Sequence, residues 1–396
     1  MKYTAAGPMA FLVLALGGCT STQSSDEVSQ SMQITSSEGS SISDSEGITH
    51  DLQRKISEIS EQENIPAISA GVIYQGAIAS ASSGALDRES GTLVGDDSIY
   101  QTASLSKTLT GIIIQSLIVD GRLDPKGPIA TYLSPLLTAD ARKRLGSITL
   151  VQLMQHRSGI TDKDCTVYRN RAEGEVVQSG YTRTELVADL NAIDMSGRTP
   201  DTFEYTSCGY AVAGLVGEIV TGQDFDALLR QYVTEPYDMP DTVVTLNDAQ
   251  KSRLVTAYNK RNRSEAVLPY IMGKASPGSA IYSTVHDLQN LQAAQMKAYR
   301  EFKTGRTAGP LILTKDVTTA SLRQGFGQAA FGSGLIILPH PEGPFYLHDG
   351  DLDGFASVYV FSPKHNAGVV ILTGSGGQWV TESAIEMLVD LIEEHR

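Results

Sequence analysis

Ser104 and Lys107 are spaced for nucleophilic chemistry. Within Gln101-Thr102-Ala103-Ser104-Leu105-Ser106-Lys107-Thr108, Ser104 is the one serine of the chain with a lysine three positions later. An apolar run follows, with Ile112, Ile113, Ile114, Leu117, Ile118 and Val119, and it stops at Gly121. That pattern predicts a buried helix with a glycine at its end. Residues three apart share a helix face, so the hydroxyl and the amine come within reach of each other. Ser104 would also sit at the helix start, where free N–H groups and the dipole favour developing negative charge. The competing reading is an ordinary polar first turn on a core helix, so the pair needs partners.

Candidate partners lie further along. His156-Arg157-Ser158-Gly159 follows a short apolar stretch and reads either as a structural turn or as a motif beside a site. Tyr205-Thr206-Ser207 precedes another apolar helix. A phenol near a lysine ammonium has its anion favoured, so Tyr205 is expected to serve as a base; alternatively it is a packed tyrosine with its hydroxyl on backbone. His348-Asp349-Gly350-Asp351 lies between two strand-like runs, where glycine permits close backbone approach. The plain alternative there is a polar turn facing water.

The elements that must position these residues are legible in outline. Helical spacing covers Thr49 to Asn64, and Ala67 to Tyr74 and Ile78 to Ser82 read as strands joined at Gln75-Gly76. Helical patterns dominate from Leu150 to about Met272. Strand signals return at Gly332 to Leu338, Pro344 to His348, Phe355 to Ser362 and Gly368 to Thr373, before an amphipathic helix from Trp379 to His395. The expected fold is α+β, one antiparallel sheet built from both ends of the chain. Residues 48–122 and 281–396 form the sheet region, and an α-helical region, 123–280, is inserted between them.

The first residues read as an export signal. Lys2 is followed by an apolar stretch from Met9 to Leu16 and then by Gly17-Gly18-Cys19. Residues 1–18 resemble a bacterial lipoprotein signal with Cys19 as the lipidated residue, and 19–47, rich in Ser, Thr, Gln and acids, reads as a disordered tether. The expected location is therefore the bacterial envelope, on the periplasmic face of a membrane. A net charge of −14 argues against nucleic acid as a partner. Three cysteines are too few for a disulfide framework. No metal or organic cofactor is implied, and G-x-S-x-G, H-E-x-x-H and P-loop motifs are absent.

Taken in order, Ser104-Leu105-Ser106-Lys107, His156-Arg157-Ser158-Gly159, Tyr205-Thr206-Ser207 and His348-Asp349-Gly350 resemble the motif series of the serine β-lactamase and penicillin-binding protein superfamily. The branch is that of class C β-lactamases with related D-alanyl-D-alanine carboxypeptidases and esterases. The resemblance spans about Thr49 to Glu394. It implies that Ser104 is the acylated nucleophile, Lys107 its partner base and Tyr205 the proton relay. His348 stands where the family often has lysine. The backbone N–H groups of Ser104 and Asp351 would form the oxyanion hole, and Ser207, Asp349 and Gly350 would meet the substrate. Both remaining cysteines, Cys165 and Cys208, would border the cleft, either bridged or as a buried thiol beside an unrelated exposed one.

Two departures bear on substrate. Ser207 replaces the asparagine of Tyr-x-Asn, and Asp349 replaces the hydroxyl of Lys-Thr-Gly, so a substrate carboxylate would meet a like charge. The leading expectation is an envelope-tethered serine hydrolase acting on an ester or amide. The alternatives are a carboxypeptidase or weak β-lactamase acting on wall peptides, and a catalytically silent binding protein of the same fold.

Overall fold

Two residues with positive φ, Gln75 at 49° and Gly76 at 99°, turn the first hairpin, as a two-residue loop between twisted strands requires. They join β1 (Ala67–Tyr74) to β2 (Ala77–Gly84), with Tyr74 opposite Ala77. This is a computed structural model, and it describes residues 38–169, 177–178, 180–303, 318–321 and 328–394. The expected signal, Cys19 and most of the expected tether lie outside these residues. From Ser40 onward the chain forms one compact unit. No helix among the described residues is long and apolar enough to cross a membrane.

The other strands of the main sheet come from the C-terminal part: β3 (Thr318–Ser321), β4 (Gln328–Phe331), β5 (Ile336–Leu338), β6 (Phe345–Asp351), β7 (Ala356–Ser362) and β8 (Ala367–Thr373). The spatial order is β2-β1-β8-β7-β6-β5-β4-β3. All neighbours run antiparallel, and β1 is sealed to the last strand with Ile68 opposite Thr373. Both ends of the chain therefore build one sheet, as the position of the strand signals implies.

Side chains alternate between two cores, as strand geometry dictates. Val358, Val360, Val369 and Ile371 face a layer formed by α1 (Glu38–Gln62) and α5 (Trp379–Glu394), where Leu52, Ile56, Leu388 and Ile392 are buried. Tyr359, Phe361, Val370 and Leu372 face the other layer, which holds α2 (Ser106–Val119), α3 (Cys208–Thr221) and α4 (Val285–Lys303). On that second face α4 also reaches the sheet through amides. Gln289 Nε2 donates to the carbonyls of Val72 and Ala79, and Gln292 Nε2 to those of Val360 and Val369.

α2 is apolar nearly all round, with Leu109, Ile112, Ile113, Ile114 and Leu117 buried. Three consecutive β-branched residues are poor helix formers. Each buried Ile or Leu contributes roughly 1.5–3 kcal/mol, which outweighs that local cost, so tertiary burial holds the helix that begins beside Ser104.

Two sequence expectations need correction. α1 starts at Glu38, so residues 38–47 are helical rather than part of an unstructured tether. Burial of Ile48, Leu52 and Ile56 anchors the later turns, and extending an existing helix costs far less than starting one. The stretch from Gly332 to Leu338 is not one strand. Gly332-Ser333-Gly334 leaves the sheet to cross α2, where Thr108 Oγ1 donates to the Gly334 carbonyl at 2.7 Å.

That crossing requires a glycine inside α2. A Cβ at Gly111 would lie 2.3 Å from the Ser333 carbonyl oxygen. Helix propensity alone would make Gly111→Ala stabilising by about 1 kcal/mol. We expect the reverse, a lower midpoint in urea unfolding, because the Gly332–Gly334 loop must move. A midpoint at or above that of the parent protein would contradict this packing.

Candidate active site

The backbone before α2 is tied down by polar side chains that look catalytic in sequence but are structural. Gln101 bonds both the N–H and the carbonyl of Tyr270, each at 2.8 Å. Thr102 donates its N–H and its hydroxyl to the Ile281 carbonyl. Ser106 is fully buried, and its Oγ accepts the Ile281 N–H at 3.0 Å. Ala103 holds φ at 48°, an uncommon conformation for a residue with a Cβ, and a 3-10 turn from Ala103 to Leu105 carries Ser104. Ser106 is thus spent on the fold, whereas Ser104 Oγ lies 3.1 Å from Lys107 Nζ.

Lys107 is fully buried, and its Nζ is met by three oxygens: Ser104 Oγ, Ser207 Oγ at 3.0 Å and the Gly278 carbonyl at 2.6 Å. Burial pushes its pKa down from 10.5 to about 7, while the charges of Asp162 and Asp349 oppose that shift. Near neutral pH the amine can therefore be uncharged. Two N–H groups then point to Ser207 and Gly278, and the lone pair is left for the Ser104 proton.

Tyr205 completes the cluster. Its ring stands beside Lys107, whose Nζ is 4.8 Å from the ring centroid, and its hydroxyl end faces Ser104 closely enough to feel it. The residue as a whole is 39% exposed, but the hydroxyl end is walled in. Burial of that end holds the phenol well above its ordinary pKa, with Asp349 and Asp162 adding to the rise and Ser104 opposing it. This corrects the sequence expectation of an easily ionised phenol. Desolvation is the leading cause for both groups, so the amine titrates near neutrality and the phenol keeps its proton.

His156, whose motif sequence reading left undecided, supports Tyr205. The two rings stack with centroids 4.4 Å apart and 28° between planes. His156 Nδ1 accepts the Thr206 N–H at 3.1 Å. Burial, then the charges of Lys107 and His348, hold its pKa well below the ordinary value, so the ring is neutral. Cys165 and Cys208 are joined by a disulfide with Cα atoms 5.7 Å apart. Asp162 and Gly278 also touch this cluster and went unnoticed in sequence. A turn aspartate and a glycine beside a proline carry no signal by themselves, and Asp162 bonds Ser207 from 45 residues away.

β6 brings the His348-Asp349-Gly350 motif. A Cβ at Gly350 would lie 2.4 Å from the Thr102 carbonyl oxygen and 2.8 Å from Ser104 N, so only glycine lets β6 pass this close to the serine. The strand position of Asp351 puts its N–H next after this contact. Its carboxylate is engaged elsewhere, with Lys260 Nζ at 3.2 Å and the Gly377 N–H at 3.0 Å. Asp349 accepts from the Thr381 hydroxyl at 2.9 Å. His348 is buried, its Nδ1 lies 2.7 Å from the Asp349 carbonyl, and burial followed by the Lys107 charge pushes its pKa down to about 4. Ser207, expected to meet substrate, has its hydroxyl on Lys107 instead.

The arrangement can deprotonate a serine beside backbone N–H donors, which is the equipment of acyl transfer. If the Lys107 amine is the base, kcat/KM must fall as pH drops through about 7, because protonation removes the lone pair. A profile flat down to pH ~5, well below that lowered lysine value, would contradict it. Lys107→Met is expected to reduce turnover roughly a hundredfold to ten-thousandfold. Cys165→Ser is expected to cost about 4 kcal/mol on the chain-entropy account, read by denaturant unfolding of the oxidised protein.

The sequence matches the Beta-lactamase family over residues 52–386. Penicillin-binding protein 4 of Amycolatopsis lactamdurans is 23% identical over 332 residues, which is 82% of this chain and 84% of that protein. Protein flp of Staphylococcus aureus strain MRSA252 is 22% identical over 355 residues, 88% of this chain and 68% of its own. The structure of a class C β-lactamase superposes with a TM-score of 0.73 at 17% identity, covering 89% of this chain and 98% of the other. The family match runs from within α1 into α5 and encloses the serine, the lysine, the tyrosine and the β6 motif alike: this chain belongs to the Beta-lactamase family, within the serine β-lactamase and penicillin-binding protein superfamily.

Proposed function

We propose that this protein is an envelope-tethered serine hydrolase that forms an acyl-enzyme on Ser104 and hydrolyses an ester or amide of a small molecule or peptide. The observation that carries the reading is the buried Lys107 amine, 3.1 Å from Ser104 Oγ and held near neutrality by desolvation. In the acylation step Ser104 Oγ attacks the carbonyl carbon and its proton passes to Lys107. The oxyanion is received by the N–H groups of Ser104 and Asp351, a pair in which loss of one donor typically costs roughly a hundredfold to a thousandfold. Tyr205, protonated, hands its proton to the leaving group and regains one from Lys107, which returns that residue to the uncharged amine. Water then attacks the acyl-enzyme, Lys107 takes its proton, and that proton passes to Ser104 Oγ as the acid leaves. The lipoprotein-like signal in residues 1–18, ending at Cys19, supports attachment of the chain to a membrane from outside the cytoplasm.

The acyl group is read from β6. The family's lysine and hydroxyl at this edge are replaced by His348, uncharged at neutral pH, and by Asp349, whose negative charge acts on His348 and Lys107. A site with that pair has no fixed cation to meet a carboxylate, and a substrate without one is favoured. The second reading is a D-alanyl-D-alanine carboxypeptidase or weak β-lactamase. It is favoured by the likeness to a protein named as penicillin-binding. The third, a silent binding protein, is opposed by the Ser104–Lys107–Tyr205 cluster.

Parallel labelling with a fluorophosphonate and a fluorescent penicillin separates the three. Labelling by the first alone supports the neutral-acyl hydrolase, labelling by both the wall-peptide reading, and labelling by neither the silent protein. The adduct is expected on Ser104 and absent in Ser104→Ala; an adduct on Ser106 or Ser207 would overturn the assignment. For a matched acid and methyl-ester pair, the methyl ester should show the higher kcat/KM at neutral pH, and a faster acid would refute the charge argument.

A further inference from the structure

Ser207 stands at the N-cap of α3. Ser207 immediately precedes Cys208, where a serine ordinarily turns its hydroxyl onto the first free N–H groups of the helix. Here the Ser207 side chain makes no capping bond, because its Oγ accepts from Lys107 Nζ at 3.0 Å. The Gly209 N–H is taken by Thr206 Oγ1 at 3.2 Å, and the two N–H groups before it by a residue outside the helix. Asp162 Oδ1 accepts from Ser207 N at 2.6 Å, from Cys208 N at 2.9 Å and from Thr206 Oγ1 at 3.0 Å. Asp162 belongs to the turn just after His156-Arg157-Ser158-Gly159, and Cys165 of the same turn is bridged to Cys208.

We propose that Asp162 is a positioning residue for the hydrolysis: by capping α3 from outside it releases the Ser207 hydroxyl to hold Lys107, and its negative charge governs how firmly that amine keeps its proton. The inference rests on Lys107 being the base, as proposed above. The groups that face Lys107 are known from each element packed on it. From the 3-10 turn before α2 comes Ser104, from the start of α3 Ser207, and from the turn before α4 the Gly278 carbonyl. Tyr205 and Tyr210 present ring faces, and His156 and His348 are close enough to feel the lysine charge. Both histidines are held below their ordinary values and both phenols above theirs. The anions among these groups are Asp162 and Asp349, and both act to keep the proton on Lys107.

Substitutions separate the two parts of the role. Asn at 162 retains an oxygen for the Ser207 and Cys208 N–H groups but removes the charge. Ala removes both and lets the Ser207 hydroxyl fall back onto its own helix. The test is the pH dependence of kcat/KM and kcat for the parent, Asp162→Asn, Asp162→Ala and Asp349→Asn. The substrate is a neutral chromogenic ester, with the fold checked by circular dichroism and the disulfide by alkylation of unreduced protein. In Asp162→Asn the acidic limb should move to lower pH by roughly one unit, the size expected for losing one opposite charge at close range. In Asp162→Ala kcat should also fall, by about tenfold to a hundredfold, with KM little changed. Should the Asn variant fail to fold, Asp162→Ser keeps an acceptor and is read the same way. A folded, bridged, uncharged variant whose limb stays in place overturns the proposal alone. A parent profile without a limb near neutrality overturns the base assignment and this inference together.

Discussion

Removing an ammonium from water is among the costlier acts a fold performs, and the Lys107 side chain is fully buried. Its surroundings are explained by that cost. An uncharged amine relieves the desolvation, and three oxygens drawn from three separate parts of the chain satisfy the nitrogen. The backbones that supply and enclose them approach to distances only glycine allows. A Cβ at Gly278 would lie 2.7 Å from the Ser207 carbonyl oxygen, and one at Gly334 2.6 Å from that of Lys107. The apolar burial of α2 supplies the free energy that keeps this polar centre assembled.

The segment from His156 to Cys165 makes the Tyr205 junction rigid by three independent means. A neutral ring stacks on the phenol and accepts the next N–H, a carboxylate caps α3, and a disulfide closes the end. Backbone bonds from Asp201 N to the Arg157 carbonyl and from Glu204 N to that of His156 extend the same contact. His156 sits at φ 59°, strain of the kind a fold tolerates where surrounding contacts over-determine the geometry. Holding Tyr205 this way divides the chemistry in the proposed mechanism: the amine is the group that loses and regains a proton near neutrality, and the phenol is a donor.

Electrostatics at β6 run counter to what the family's motif would supply. A buried histidine beside a buried lysine cannot also be charged, since desolvation and the neighbouring cation act in the same direction. The acidic side chain next to it is held by Thr381 at the start of α5, so the layer of α1 and α5 has a direct bearing on the cleft.

Much of this was legible in the chain alone, for physical reasons. Strand and helix periodicities mark the sheet's two sources and the inserted helices, and short-range spacing places Lys107 one turn from Ser104, because i and i+3 must share a helix face. The family resemblance made Cys165 and Cys208 candidates for a bridge, without deciding it. What required the tertiary structure were quantities set by neighbours distant in sequence. The phenol of Tyr205 and the amine of Lys107 trade places in acidity because burial, which no local pattern encodes, raises the one and lowers the other. The partner of the Ser207 hydroxyl is Lys107, 100 residues earlier, and the partner of the Ser207 N–H is Asp162, 45 residues away. Sequence determined which groups are present and how the chain divides into elements; only folding decided which proton each group holds, because that depends on what surrounds it once water is gone.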